Sequence, residues 1–352
     1  MMKFVRIACV IGLVVSLPAA STSAATIWYA DNNLGRAGQV PSDFVEKFHK
    51  PETFARATKY IDVYLLLATV LSRMDDAFMT QLLFPYLEKN HIKLAINAGG
   101  ATWLGASPRR QKLFDAEIKL LERIKRLGGR VDYISLQSVL SKPRRDRGPD
   151  GEPAEFSIAD RIHGAVAYSQ AAQRVFPDAA IGIIDALPSK GMDYQSAYRQ
   201  LAEAMKAGGS ALSYVHLDIS FDAAKQGRYG TDWNTIRDIE RYLEDDLKIQ
   251  FGLFAKSRRA GQRSSAAFRD AAIASVQCYA GSGGSPRDYV FASWFKYPDK
   301  TIPETATGDD YPAMRIVLEL GDELKRIEQG GTAWVAQQKT NTAWMSRCGI
   351  DR

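Results

Sequence analysis

The sequence predicts a single (β/α)8 barrel that follows an N-terminal secretion signal. Strand and helix patterns alternate eight times over about 300 residues, which is the number of units and the length that such a barrel needs. No linker-like stretch divides the chain. An open, doubly wound sheet is the alternative, but the segment that includes the end of the first strand, ADNNLGRAG, matches a glycine-rich phosphate loop poorly.

The first 25 residues have the composition of a signal peptide. Lys3 and Arg6 precede an apolar run over residues 7–17, and the small residues of ASTSAAT favour cleavage after Ala24 or Ala25. The apolar run is short for a membrane span, and no later segment is long enough to cross a bilayer. We therefore expect a secreted or periplasmic protein without stable membrane insertion.

The predicted strands are short, and most are rich in branched and aromatic residues. Strand one reads TIWYA, strand four VDYISLQ and strand eight DYVFASW. The long irregular stretches after strands four and eight would lie at the carboxyl ends of the strands, where barrels bind ligands. The eight predicted strands cover residues 26–30, 62–70, 92–98, 131–137, 180–186, 212–220, 249–255 and 288–294.

The predicted helices carry apolar residues at spacings of three and four, as at Phe114, Ile118 and Leu121 in the third helix. Glycine pairs at 128–129 and 208–209 lie where helices should end. The eight predicted helices cover residues 41–58, 75–90, 109–127, 157–175, 193–207, 231–246, 263–280 and 311–328.

Two cysteines, Cys278 and Cys348, remain after cleavage. An exported protein can keep a disulfide, and one bridge would pin the C-terminal end to the body of the protein. Bridged and free forms are both compatible with the sequence. We assign residues 26–330 to the barrel and residues 331–352 to a C-terminal tail packed on it.

The mature chain is mildly basic, because its formal net charge of +6 becomes +4 when the two positive residues of the signal are removed. One denser basic patch, KPRRDRG at residues 142–148, follows strand four. It is either a solvated loop or a contact for an anionic polymer. No nucleic-acid-binding signature is present, so nucleic acid is not an expected partner.

Strand six carries the strongest site signal. Its alternation places Val215 and Leu217 against the surrounding helices and turns His216, Asp218 and Ser220 into the barrel. A polar line of this kind is costly to bury unless it is hydrogen-bonded or functional. It is therefore either a satisfied structural network or a site in which Asp218 faces substrate.

Other polar and aromatic residues close strands or follow them. Aromatic rings stack on the apolar faces of sugars, and amides and carboxylates bind the hydroxyl groups, so we expect a sugar groove. His216 and Asp218 are two candidate metal ligands without a visible third, so neither a metal nor another cofactor is expected. The further candidates for substrate binding are Trp294, Tyr297, Trp103, Asn97, Asp185 and Gln137, and Asp31 closes strand one.

The layout of YVHLDIS, IQFGLFA and ASWFKYPDKTIPET resembles (β/α)8 glycoside hydrolases and exported bacterial barrels related to them. That resemblance implies acids after strands four and seven and a tryptophan at strand eight. Trp294 matches the tryptophan, but Gln137 and Leu253 occupy the positions of the two acids. Neither residue can replace a catalytic carboxylate, so the standard two-carboxylate mechanism is not expected.

Three functional hypotheses remain open. The protein is a carbohydrate-active enzyme that uses other acids, with Asp218, Glu304 and Asp31 as candidates. Alternatively, it is a non-catalytic barrel that binds a polysaccharide or oligosaccharide during export or modification of a surface glycan. In the third hypothesis it is a scaffold that docks on an envelope protein partner.

Overall fold

The computed structural model describes residues 25–36, 38–99, 108–141, 145–147, 153–155, 157–186 and 192–350. Eight parallel strands close into a barrel, in which β1 pairs with β2 on one side and with β8 on the other. The predicted (β/α)8 barrel is confirmed. Strands β1 to β8 are Thr26–Tyr29, Val63–Leu67, Lys93–Ala98, Tyr133–Gln137, Ala180–Asp185, Leu212–Leu217, Gln250–Phe254 and Asp288–Phe291.

Helices follow the strands and enclose a second apolar layer around the barrel. No helix in the described part of the chain is long and apolar enough to cross a bilayer. A short antiparallel pair, Arg145–Arg147 with Pro153–Glu155, lies in the stretch after β4 that the sequence left irregular. The described α-helices α1 to α12 are Glu46–His49, Ala55–Thr58, Ala68–Leu71, Phe84–Lys89, Pro108–Arg126, Ile158–Val175, Tyr194–Ala207, Phe221–Lys225, Trp233–Arg241, Ser265–Gly281, Ala313–Thr340 and Thr342–Cys348.

Two predicted elements in the N-terminal part of the chain have wrong boundaries. The predicted strand 62–70 ends earlier, because α3 begins at Ala68 and its apolar residues suit a buried helix as well as a buried strand. The predicted helix 41–58 is divided into α1, a 3-10 turn and α2. Pro51 begins that turn, since proline lacks the N–H group that a continuous helix needs.

The ends of two strands also differ from the prediction. Strand β6 ends at Leu217 and β8 at Phe291, so Asp218 and Trp294 lie in the segments directly after the strands. The backbone N–H of Asp218 still donates to the carbonyl of Asp185 at 2.7 Å, which keeps Asp218 in line with its strand.

The last predicted helix, 311–328, agrees with the first part of α11, which begins at Ala313 and keeps helical geometry up to Gly331. At Gly331 a φ of 48° and a ψ of −136° break the helix, and a second helical segment then continues to Thr340. Glycine tolerates this conformation, so Gly331 forms a kink close to the predicted end of the helix.

The interior of the barrel contains aromatic and polar side chains as well as aliphatic ones. The Trp28 ring lies 5.2 Å from the Tyr214 ring and 4.4 Å from the His216 ring, between centroids. His216 Nε2 lies 3.0 Å from Oδ2 of Asp288. Gly182 is required beside Tyr214, because a Cβ atom there would lie 2.3 Å from the tyrosine ring. His216 is therefore part of the packed interior, below the open end of the barrel.

A disulfide joins Cys278 in α10 to Cys348 at the end of α12, with a Cα–Cα distance of 5.4 Å. The indole N–H of Trp233 donates to the carbonyl of Cys348 at 2.8 Å. Trp344 fills space beside Gly281, where a Cβ atom would lie 2.1 Å from the indole ring. These contacts hold α12 against α10.

Glu240 in α9 is a buried carboxyl group that links α10 to the loop before β8. It accepts hydrogen bonds from the Tyr279 hydroxyl and, at 2.9 Å, from the backbone N–H of Ser285. Burial raises the pKa of Glu240 to about 7; the charge of Glu244 acts in the same direction, and that of Arg237 opposes it. The folded state therefore favours the neutral form of Glu240.

We expect Glu240→Gln to remove part of the pH dependence of stability. The folded pKa of Glu240 lies above its ordinary value, so its contribution is complete below that ordinary pKa and is lost as the pH rises through about 7. The expected loss is about 3 kcal/mol for the wild type, and the glutamine variant should lack it. Urea unfolding at about pH 4 and about pH 8 measures the difference. Glu203, which is exposed on α7, gives the matched control Glu203→Gln. If the stability of Glu240→Gln depended on pH as strongly as that of the wild type, the raised pKa of Glu240 would be contradicted.

Candidate functional site

Side chains on the inward side of the strands converge at the carboxyl end of the barrel. Each follows an inward-facing residue of the same strand by two positions. Because side chains alternate in direction along an extended chain, each of these residues also faces inward. This arrangement brings together residues that are far apart in the sequence. The described inward residues of this group, which we call the mouth, are Asn32, Leu67, Asn97, Gln137, Ala186, Asp218, Lys256 and Trp294.

An ion pair between Asp218 and Lys256 joins the ends of β6 and β7. Lys256 is 5% exposed, whereas Asp218 is half-buried. The Lys256 ammonium lies 5.2 Å from the centroid of the Phe254 ring and 5.9 Å from that of the Trp294 ring. Burial lowers the pKa of Lys256 to about 7, and the adjacent carboxylate opposes this effect.

Sequence reasoning missed Lys256. It follows Phe254 by two residues, so one more step of the strand period beyond the predicted end of strand seven would have found it. The structure also fixes its backbone, since the N–H of Phe221 donates to the Lys256 carbonyl at 2.8 Å. The mouth thus contains a buried cation that the sequence analysis did not include.

Asn97, near the end of β3, is a buried amide that has no hydrogen-bond partner among the described residues. The residue is 3% exposed, and neither Nδ2 nor Oδ1 makes a hydrogen bond with any residue that the structure describes. A buried polar group left unpaired costs about 1–3 kcal/mol. Among the described residues, nothing competes with a ligand for the donor and the acceptor of this amide.

Trp294 provides an aromatic surface at the mouth. It is half-buried, its ring centroid lies 6.2 Å from that of Phe254, and its indole N–H has no hydrogen-bond partner among the described residues. Asn32 holds the segment after Trp294, because its Nδ2 donates to the carbonyls of Phe295 at 2.8 Å and Pro298 at 2.7 Å. A narrow pocket between Trp294 and the ends of β1 and β2 opens beside it.

Gln137 and Tyr297, two other predicted binding residues, lie in different parts of the structure: one on a strand and the other in a loop. Gln137 is half-buried on the inward side of β4, two residues after Ser135, whose hydroxyl lies 2.8 Å from that of Tyr214 inside the barrel. Tyr297 is half-buried in the loop after β8, where its backbone N–H donates to the carbonyl of Gly261 at 2.8 Å. Trp103 lies outside the described residues.

Asp31 also lines the narrow pocket beside Trp294, but its carboxylate binds groups on the outward side of β1. Lys47 Nζ donates to both of its carboxylate oxygens, at 2.5 and 2.6 Å. The hydroxyl groups of Tyr29, at 2.8 Å, and Tyr64 also donate to Asp31. Burial lowers the pKa of Lys47, and the contact with Asp31 opposes that change. Asp31 is thus fully engaged in a buried network between the barrel and its helices.

Unlike Asp31, Glu304 and Asp185 bind backbone N–H groups, and they too do not face Asp218. Glu304 accepts from the N–H of Ala57 at 2.7 Å at the start of α2. Asp185 accepts from the N–H groups of Leu140 at 2.6 Å and Ser141 at 2.7 Å, and burial raises its pKa. Asp185 therefore holds the chain after β4 in place.

The described mouth contains a single carboxylate, Asp218, which is paired with Lys256. Glycosidases of the standard kind need two carboxyl groups, about 5 Å apart or somewhat farther. Within the described ranges, no group of three or more His, Cys, Asp or Glu residues could hold a metal ion. The arrangement combines amides, an ion pair and an aromatic ring, which suits recognition of a polar ligand with apolar faces.

No protein-family model matches the sequence, and no curated protein is significantly similar to it. Solved structures do share its architecture. Xylanase 10B from Thermotoga maritima is similar with a TM-score of 0.51 and 13% identity, over 87% of this chain and 97% of the xylanase. A glucosidase from Croceicoccus marinus is similar with a TM-score of 0.51 and 10% identity, over 86% of this chain and 67% of the glucosidase. This chain shares the (β/α)8 fold of these two glycoside hydrolases, as the sequence resemblance predicted.

Proposed function

We propose that this protein binds a polysaccharide or oligosaccharide at the carboxyl-terminal mouth of its barrel, outside the cytoplasm. The amide of Asn97, which has no partner in the described part of the chain, carries the proposal, because its donor and acceptor match the hydroxyl groups of a sugar. Trp294 supplies the ring against which a sugar face stacks, and Asp218 offers a half-buried carboxylate beside it.

These residues favour ligand binding over hydrolysis by the standard two-carboxylate mechanism. Asp31 and Glu304 are occupied by Lys47 and by backbone N–H groups, so neither is a partner for Asp218 in acid–base chemistry. The predicted secretion signal and the Cys278–Cys348 disulfide support export, since disulfides persist in oxidising compartments. Export or modification of a surface glycan is the setting that we propose.

Asn97→Leu separates ligand recognition from stability. Leucine has a similar volume and no polar atoms, so the variant should be more stable than the wild type by about 1–3 kcal/mol. The same change should weaken carbohydrate binding at least about tenfold, because the hydrogen bonds to the ligand are lost. Calorimetric titration with a panel of neutral and acidic bacterial exopolysaccharides, together with urea unfolding, measures both effects.

Controls make the result specific. Asn90→Leu removes an amide that donates to the Tyr86 carbonyl at 2.7 Å before β3, at the opposite end of the barrel. It should leave binding unchanged, whereas Trp294→Ala should weaken it. Cleavage of a panel member that is lost in Asp218→Asn would establish hydrolysis instead. The absence of both binding and cleavage would overturn the carbohydrate proposal in favour of docking on a protein.

A further inference from the structure

We propose that Lys256 is a nucleophile that condenses with the carbonyl group of a small aldehyde or ketone, such as the open-chain form of a sugar, to form an imine. This activity goes beyond carbohydrate binding and does not depend on it. Lys256 lies at the mouth, where a ligand enters, and its ammonium has one polar partner among the described residues, Asp218. The rings of Phe254, Trp294 and Phe295 lie 5.2, 5.9 and 6.0 Å from its nitrogen.

Lys47 shows what a structural lysine looks like in the same protein. Its nitrogen contacts both oxygens of Asp31 and, at 2.7 Å, the hydroxyl of Tyr64, so all three of its N–H bonds have partners. It lies on the outward side of β1, and its carboxylate partner is buried. Lys256 instead shares one contact with a carboxylate that is 18% exposed. A ligand at the mouth can therefore reach the Lys256 pair from the side of Asp218.

The surroundings of Lys256 favour the neutral amine that nucleophilic attack requires. The aromatic rings and the buried position remove water from the ammonium, and this burial lowers the pKa of Lys256 to about 7. Asp218 opposes the shift as a charge but touches the nitrogen, so it can accept the proton directly. A proton transfer within the pair gives a neutral amine beside a carboxylic acid.

The reaction balances without any oxidant or reductant. The nitrogen lone pair forms the C–N bond, and the carbonyl oxygen takes the proton from the Asp218 acid. The resulting carboxylate removes a second proton from nitrogen and returns it to the hydroxyl group of the carbinolamine. The C–O bond breaks, water leaves, and a protonated imine remains beside the Asp218 carboxylate. The carbonyl compound and the lysine thus combine with loss of one water.

Reductive trapping tests this directly in the wild-type protein. The protein is incubated with glycolaldehyde or dihydroxyacetone and cyanoborohydride at about pH 7, and labelled peptides are quantified by mass spectrometry over time. Lys256 should be labelled at least about tenfold faster than exposed Lys59, because each unit by which the pKa falls gives about ten times more neutral amine. Lys47 is the buried reference and should be labelled slowest.

Variants test the role of the pair. Lys256→Arg keeps the positive charge next to Asp218 but cannot form the imine, so the fast labelling phase should disappear. Asp218→Asn removes the charge that stabilises the ammonium, so the midpoint of the pH–labelling profile of Lys256 should move to lower pH. Labelling of Lys256 that is no faster than that of Lys59 at any pH from about 6 to about 9 would overturn the proposal. That comparison uses the wild type alone, and it is independent of the outcome with polysaccharides.

Discussion

Replacing Lys47 with methionine should destabilise the folded protein by about 3–5 kcal/mol, because it leaves the Asp31 carboxylate buried without its counter-ion. Lys47 is 2% exposed and Asp31 is 7% exposed, so water cannot replace the lost contact. Methionine retains the length and most of the packing of the lysine stem, so the change tests the charge rather than the volume. Urea unfolding of wild type and variant measures the difference.

A surface pair near the same helix gives the matched control. Lys50 contacts Glu46 at 2.5 Å, but both side chains are about half exposed, at 53% and 50%. Lys50→Met should change stability by less than about 1 kcal/mol. The double variant Lys47→Met, Asp31→Asn should recover much of the loss, because no buried charge remains. A Lys47→Met variant that is as stable as Lys50→Met would refute the network as a buried ion pair.

Removing the Cys278–Cys348 bridge should cost about 4 kcal/mol, because the bridge closes a loop with a sequence separation of 70 residues. The unfolded ensemble is larger when the bridge is reduced or when both cysteines are replaced, as in Cys278→Ser, Cys348→Ser. Helix α12 is then held only by packing contacts such as those of Trp344. Thermal unfolding with and without reductant measures the effect. The double variant should match the reduced wild type and should not respond to reductant.

Limited proteolysis shows where the loss occurs. Cleavage within residues 331–348 should become faster in the double-serine variant, while the barrel strands stay protected under native conditions. The uncut wild type is the reference. An unchanged melting temperature together with unchanged cleavage would show that the packing of Trp344 and Trp233 holds α12 without the bridge.

Much of the barrel could be predicted because its strands repeat a simple period. In strand six, apolar Val215 and Leu217 fix the outward face, so the inward positions of His216 and Asp218 follow from alternation alone. The first strand gives no such signal, since both Trp28 and Tyr29 are aromatic and both are buried. The direction of Asp31 therefore depended on the structure.

The candidate site was harder to predict than the fold. Glu304 lies in an irregular loop, where no period links sequence position to direction, and only the three-dimensional path shows that it binds the start of α2. Lys256 lies one residue beyond the predicted end of strand seven, so the alternation was not followed as far as this position, although the chain continues in line. Asp218 and Lys256 are separated in the sequence by α8, α9 and β7, so their pairing is a property of the closed barrel.

The buried amide of Asn97 has a consequence for how this barrel should evolve. An amide that weakens the fold at a buried position tends to drift toward an aliphatic residue, since one base change converts an asparagine codon to isoleucine and two convert it to leucine, valine or methionine. Only selection for what the amide binds opposes that drift. Among descendants of this barrel, chains that have lost the ligand should therefore carry an aliphatic residue at position 97 before the rest of the mouth diverges. The residue at that one position would then distinguish lineages that still use the mouth from those that retain only the fold.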